Sequence, residues 1–140
     1  MIHGVSSDLP SFKSLTFGPG LNIVLADKSA GASDRQSRNG AGKTSLLELI
    51  HFVFGANADA DSIFRSPELA PWTFETRVDI GGNAVDVGRS GKKPSRIMLQ
   101  GDTTPWPIQP SLDAKSGDLV FSNEKWRALL GAVFFGLPVD

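Results

Sequence analysis

The residues best suited to chemistry in this sequence stand in one short segment, Ser37-Arg38-Asn39-Gly40-Ala41-Gly42-Lys43-Thr44. Its two glycines allow the backbone to curl until successive N–H groups point at the oxygens of one phosphate. Lys43 has the charge and the reach to bind β- and γ-phosphates, and the hydroxyl of Thr44 is a ligand for Mg²⁺. The spacing therefore predicts a phosphate-binding loop formed by Asn39, Gly40, Ala41, Gly42, Lys43, Thr44 and Ser45.

The segments on either side have the order that such a loop requires. Residues 21–26 form a continuous apolar run, which predicts a strand buried on both faces. Residues 43–54 predict a helix that is covered on most sides and ends before Gly55. Glu48 and His51 interrupt its apolar surface, and we interpret them as a polar stripe rather than as catalytic groups. The helix adds its positive dipole end to the phosphate site.

The connection between the predicted strand and the loop, residues 27–38, is rich in Ser, Ala, Gly and charged residues. It shows no periodicity, so we predict an inserted loop. One interpretation is a solvated surface excursion. The other is a flap over the nucleotide, in which Arg35 or Arg38 binds phosphate, because a guanidinium offers a planar fork of donors.

The rest of the chain predicts an antiparallel sheet and one more helix. Short alternating segments at 2–7 and 13–17 predict two paired strands. Residues 73–100 predict a three-stranded antiparallel meander with turns at Gly81-Gly82 and near 90–95. Residues 56–71 predict a loop with one short helix, and 102–116 an irregular segment. A helix over 122–136 begins at a Ser122 or Asn123 cap.

Length and composition indicate one packed globular unit. The chain has 140 residues, of which 40% are hydrophobic, so it can bury a core. The net charge of −1 gives the chain as a whole no electrostatic case for nucleic acid. The lack of cysteine excludes disulfides and thiolate metal sites. No signal peptide or membrane span is visible, so we expect a cytoplasmic protein without a membrane partner.

Several segments together carry a family resemblance: Phe12-Lys13-Ser14-Leu15, then Phe17-Gly18-Pro19-Gly20-Leu21-Asn22-Ile23-Val24, then Asn39-Gly40-Ala41-Gly42-Lys43-Thr44-Ser45-Leu46-Leu47-Glu48, then Phe52-Val53-Phe54-Gly55. They resemble the amino-terminal part of the SMC, SbcC and RecN type of ABC ATPase head, a P-loop NTPase. The likeness is close over residues 1–65, and the strands at 73–100 match the β-lobe of such heads in outline. The sequence departs from the family at Ser37, which stands in place of the usual glycine, and in the inserted loop.

The resemblance implies a fold and a set of ligand-binding residues. The fold is α/β and P-loop NTPase-like, with an antiparallel β-lobe, as a partial ATPase head that lacks its C-terminal half. The implied cofactors are ATP and Mg²⁺, with Thr44 on the metal. By resemblance, Lys13 and Ser14 lie near the adenine and ribose, and Arg38 and Arg65 near the nucleotide. Gln100, or else Gln109, takes the place of a glutamine that senses Mg²⁺ and the γ-phosphate.

The resemblance also implies partners for catalysis. Such heads hydrolyse ATP with a second half that supplies an Asp-Glu pair, and with a Ser-Gly-Gly signature from a second head that dimerises on ATP. Neither motif occurs in these 140 residues. We therefore expect the chain to bind ATP but to hydrolyse it only with that other half. The full assembly would act on DNA in repair, chromosome maintenance or defence.

Alternative functions remain open at this level. A small-molecule or nucleoside kinase shares the loop but needs an Arg-bearing lid, which the sequence does not show. A GTPase would need an Asn-Lys-x-Asp motif, which is absent. A non-enzymatic interaction module could retain the loop as a relic. The basic turn Arg89, Lys92, Lys93 and Arg96 could meet a DNA backbone, although a solvated turn also explains it.

Overall fold

The structure, a computed structural model, describes residues 2–18 and 38–138, and of residues 38–45 it describes the backbone. The predicted strand over 21–26 and the inserted loop, apart from Arg38, lie outside these ranges. The described residues form a small α/β domain in which one seven-stranded antiparallel sheet carries two α-helices.

The strands follow the spatial order β2-β1-β3-β4-β5-β7-β6, and each described pairing is antiparallel. They are β1 (Ile2–Ser7), β2 (Leu15–Thr16), β3 (Thr73–Ile80), β4 (Asn83–Ser90), β5 (Arg96–Gln100), β6 (Ser111–Leu112) and β7 (Leu119–Ser122). The helices are α1 (Arg38–Val53) and α2 (Asn123–Phe135), and a 3₁₀ helix spans Ile63–Arg65.

Alternation along the strands gives the sheet an apolar inner face and a polar outer face. In β3, Phe74, Thr76, Val78 and Ile80 are buried, whereas the residues between them are exposed or half-buried. Both helices pack on the inner face, where their apolar side chains join the buried strand residues in one core. The two-residue period is therefore the physical origin of the layered arrangement.

The predicted hairpins are confirmed. Gly81 and Gly82 have φ of +63° and +89°, the backbone that a two-residue turn between twisted strands requires and that glycine adopts without strain. β1 pairs with β2 as predicted. β1 also pairs with β3, which joins the amino-terminal hairpin to the meander in one sheet. The predicted short helix in 56–71 corresponds to the 3₁₀ helix.

The prediction of an irregular segment over 102–116 was incomplete, because β6 lies within it and pairs with β7 just after it. Both strands are too short to show an alternating pattern. β7 forms by pairing with β5, and β6 forms by pairing with β7. The loop before β6 is held in place by Trp106, which stacks on Phe121 with ring centroids 6.2 Å apart. Its Nε1 donates to the carbonyl of Ile80 at 3.3 Å.

The predicted carboxy-terminal helix is confirmed as α2. The Ser122 hydroxyl accepts a hydrogen bond from the N–H of Lys125 at 3.2 Å, which is the N-cap geometry. Gly136 ends the helix in the left-handed conformation, with φ of +64°. Local signals thus define both ends of this helix.

One ion pair ties β5 to the loop after β6 and makes stability depend on pH. A hydrogen bond from Arg96, followed by one from the N–H of Lys115, lowers the pKa of Asp113 to about 2. Because the pKa is depressed in the folded state, the stabilisation is present above about pH 4 and is lost as the pH falls toward 2. Asp113→Asn should therefore flatten the acid limb of a urea-midpoint series between pH 5 and pH 2. Parallel curves for the two proteins would contradict this role.

Candidate phosphate-binding site

The phosphate-loop motif lies at the amino-terminal end of α1. This helix packs on the inner face of the sheet through Leu49, Phe52 and Val53, all of which are buried. Glu48 and His51 are exposed, as expected for a polar stripe. The sheet therefore holds the carboxy-terminal half of the helix, whereas the motif occupies its opposite end.

The helix begins earlier than predicted. We expected loop conformation for residues 39–42 and helix from Lys43, but the backbone is helical from Arg38. Arg38 is therefore the first residue of α1 and not the last residue of an inserted loop. Glycine accounts for the difference, because it adopts helical and loop conformations and so does not select between them. It does make this end the weakest part of the helix, since each glycine costs about 1 kcal/mol relative to alanine.

The carboxy-terminal end of α1 has a well-defined structure that the sequence did not indicate. Gly55, at φ of +99°, ends the helix as predicted. Two carbonyls at this end, those of Phe52 and Ala56, accept hydrogen bonds from Nη1 of Arg89 at 2.6 and 2.7 Å. The Val53 carbonyl accepts from Trp126 Nε1 at 3.0 Å, and the Gly55 carbonyl accepts from Asn123 Nδ2 at 3.1 Å. Among the described residues, three donor side chains therefore reach this end.

The basic turn does not form the cationic surface considered above. Arg89 falls at an inward-facing position of β4, opposite Phe74 in the register, and is only 2% exposed. Arg96 is paired with Asp113. Only Lys92 and Lys93 of the four remain as exposed cations. Strand alternation, which directs one side of each strand to the core, explains why the four charges separate.

Two groups of residues implied by the resemblance lie outside the strands, in separate segments. Lys13 and Ser14 are exposed on the segment that leads into β2. Arg65 ends the 3₁₀ helix, where its Nη1 donates to the carbonyl of Ala58 at 3.0 Å. Arg65, like Lys13 and Ser14, is exposed to solvent.

Gln100 and Gln109 are not brought to α1. Gln100 pairs with Asp86 across β4 and β5 and so belongs to the outer face of the sheet, opposite the helix. Gln109 stabilises its own loop, because its Nε2 donates to the carbonyls of Thr103 and Trp106 at 2.7 and 2.9 Å. The described structure therefore assigns Gln109 a structural role.

The outer face of the sheet has a groove of about 450 Å³ that includes Gln100 and four acidic residues, Asp8, Glu75, Asp86 and Asp118. Burial, followed by the nearby charges of Asp86 and Asp8, raises the pKa of Glu75. Among the described residues, no group of three or more His, Asp or Glu side chains has the arrangement of a metal site. The predicted magnesium ligand, Thr44, is one of the residues whose side chain lies outside the description.

Comparison of the chain with protein-family models, with curated proteins and with solved structures finds no match. Within the described ranges, neither helix combines the length and apolar character needed to cross a membrane. The functional assignment therefore rests on the motif and on the position of the helix that carries it.

Proposed function

We propose that this chain binds ATP with Mg²⁺ at the amino-terminal end of α1, as the β-lobe-bearing part of an SMC/SbcC/RecN-like ATPase head. One observation carries the proposal: Gly-x-Gly-Lys-Thr coincides with the start of a helix whose other end is packed on an antiparallel sheet. Opening of the first turn would bring the positive end of the helix dipole to Lys43, which we propose as the phosphate-binding lysine.

Phosphate binding requires a local change in α1. In a continuous helix, the N–H groups of Gly42, Lys43 and Thr44 are directed to carbonyls four residues earlier. They become available to phosphate when the first turn opens as far as Gly42. Gly40 and Gly42 lower the free-energy cost of this opening by about 2 kcal/mol relative to alanine, and charge-assisted hydrogen bonds to phosphate favour the open form. Lys43 would then bind the β- and γ-phosphates, and Thr44 would bind Mg²⁺.

The antiparallel sheet supports the ATPase-head proposal over a kinase. It joins β1, which precedes the motif, to the meander of β3 to β5, which resembles the β-lobe of such heads in outline. The partners we propose are the C-terminal half of such a head and a second head that dimerises on ATP. Action of the full assembly on DNA, and a cytoplasmic location, belong to the same proposal.

The direct test is titration of the purified chain with ATP, GTP and AMP, with and without Mg²⁺. We expect Mg-ATP to bind most tightly and AMP to bind weakly, because the motif recognises the β- and γ-phosphates. Equal binding of AMP and ATP would favour a nucleoside-recognition site of the kinase type. No binding of any of the three would favour an interaction module and would reject the proposal.

ATP turnover by the isolated chain is expected to remain at background. The resemblance places the water-activating carboxylates and the signature serine in sequences that these 140 residues do not contain. The measurement is phosphate release over hours at saturating Mg-ATP, with Lys43→Ala as the control for contaminating ATPase. Turnover that exceeds this control would show that the chain holds a catalytic base of its own.

A further inference from the structure

The donors that bind the carboxy-terminal end of α1 come from two elements, the strand β4 and the helix α2. Arg89 belongs to β4, whereas Asn123 and Trp126 belong to α2. Arg89 also joins the β4–β5 turn to this end, because its Nε donates to the carbonyl of Pro94 at 2.7 Å. This one side chain therefore connects the helix, the loop after it and the turn of the sheet.

The burial of Arg89 is costly for stability alone. Its guanidinium lies 4.4 Å from the centroid of the Phe52 ring, and its partners within the described residues are carbonyls rather than a carboxylate. Burial lowers the pKa of Arg89 to about 10, so the group stays charged at neutral pH. An apolar side chain of similar volume often stabilises a buried position as well as a charge does. The specific contribution of arginine here is the geometry of its fork of donors.

The hydrogen bonds of Arg89 fix the orientation of α1 relative to the sheet at the carboxy-terminal end of the helix. Eleven residues separate Val53 from Gly42, which is about 16 Å along a helix. A tilt of about 10° at the fixed end therefore moves the motif by about 3 Å. This displacement is several times the spread of about 0.5 Å in the donor–acceptor distances of hydrogen bonds. Because the phosphate loop moves with the helix, this displacement affects binding through ligand contacts outside α1, such as Lys13, Ser14 and Arg65, which the resemblance implies near the same nucleotide.

We propose that Arg89 is a positioning residue, which sets the direction of α1 relative to the sheet and thereby holds the phosphate-binding end of the helix in place. The inference rests on the proposed nucleotide site. It goes beyond that site because it assigns the accuracy of binding to a side chain on the other end of the helix. It also explains the use of a buried cation here, because an apolar residue would leave the carbonyls of Phe52, Ala56 and Pro94 without these donors.

The test combines a distance measurement with a binding measurement. The chain has no cysteine, so Leu47→Cys and Leu112→Cys can be spin-labelled specifically. Both positions are exposed, at 57% and 68%, and they lie on α1 and on the edge strand β6. Double electron–electron resonance measures the distance between the two labels, and this distance reports the direction of α1 whether or not nucleotide binds.

In this background we compare Arg89→Lys and Arg89→Gln with Arg77→Met, which removes an exposed arginine paired with Asp86 on the outer face. The Arg89 variants should at least double the width of the distance distribution and weaken Mg-ATP binding about tenfold, roughly 1.4 kcal/mol. Arg77→Met should change neither. All measurements are made at a temperature where circular dichroism shows a folded protein.

The outcomes separate this inference from the proposed function. If the parent chain does not bind ATP, the nucleotide site is rejected, while the distance distribution still tests the direction of α1. An unchanged distribution in both folded Arg89 variants overturns the positioning role, and so does a broadened one with parental ATP affinity. Failure of both variants to fold also overturns it, because Arg89 would then be required for the fold itself.

Discussion

Lys43→Ala should weaken Mg-ATP binding by a factor of about 100 to 1,000 and leave the fold intact. A lysine that bridges the β- and γ-phosphates makes charge-assisted hydrogen bonds worth about 1.5–3 kcal/mol each. The loss of two bonds near the lower limit, about 3–4 kcal/mol in total, corresponds to this factor. Alanine is the best helix former, and α1 should therefore tolerate the change. The measurement is calorimetric or fluorescence titration, beside a thermal melt of each protein.

Lys92→Ala is the matched control, because it removes one exposed positive charge from the β4–β5 turn. It should leave ATP affinity within a factor of two to three, as expected when only screened long-range electrostatics change. An affinity of Lys43→Ala equal to that of the parent chain would remove the basis for the nucleotide site. So would equal losses in the two variants, since binding would then depend on net charge alone.

Trp126→Ala should lower the free energy of unfolding by about 3–5 kcal/mol, a large share of the 5–15 kcal/mol typical of a domain. The side chain is 0% exposed and lies within 6.4 Å of the Phe54 ring and 6.2 Å of the Phe121 ring, measured between centroids. Its removal leaves a cavity between α1, α2 and the sheet. It also leaves the carbonyl of Val53 without the indole N–H.

Two further variants divide this loss into its parts. Trp126→Phe keeps most of the apolar contact but removes the N–H, and should cost about 1–3 kcal/mol from the unpaired buried carbonyl. Lys125→Ala, at the exposed neighbouring position of α2, should stay within about 0.5 kcal/mol of the parent. Urea unfolding gives all three values. A cost below about 1 kcal/mol for Trp126→Ala would contradict the packing of α2 on α1.

Local signals in the sequence were sufficient where a structure is made from neighbouring residues. The glycine pair at Gly81-Gly82 between alternating segments predicted the β3–β4 hairpin, and the Ser122 cap predicted the start of α2. The motif residues predicted the helix α1 but not its start, which is at Arg38 rather than at Lys43. The phosphate site itself, and the family resemblance that supports it, remain predictions from sequence.

Tertiary structure decided the features that depend on distant residues. β7 gains its hydrogen bonds by adding to the edge of β5, and β6 by adding to β7. β1 joins the sheet by pairing with β3 from about 70 residues away. The sequence alone could not show that the Arg89 side chain is buried in the core rather than exposed at the basic turn. Its direction follows from strand alternation, but its partners are carbonyls at the end of a helix 33 to 37 residues earlier. Turn and cap preferences act within a few residues. Burial and cross-strand pairing instead bring together distant segments, and the local sequence of one segment does not specify the other.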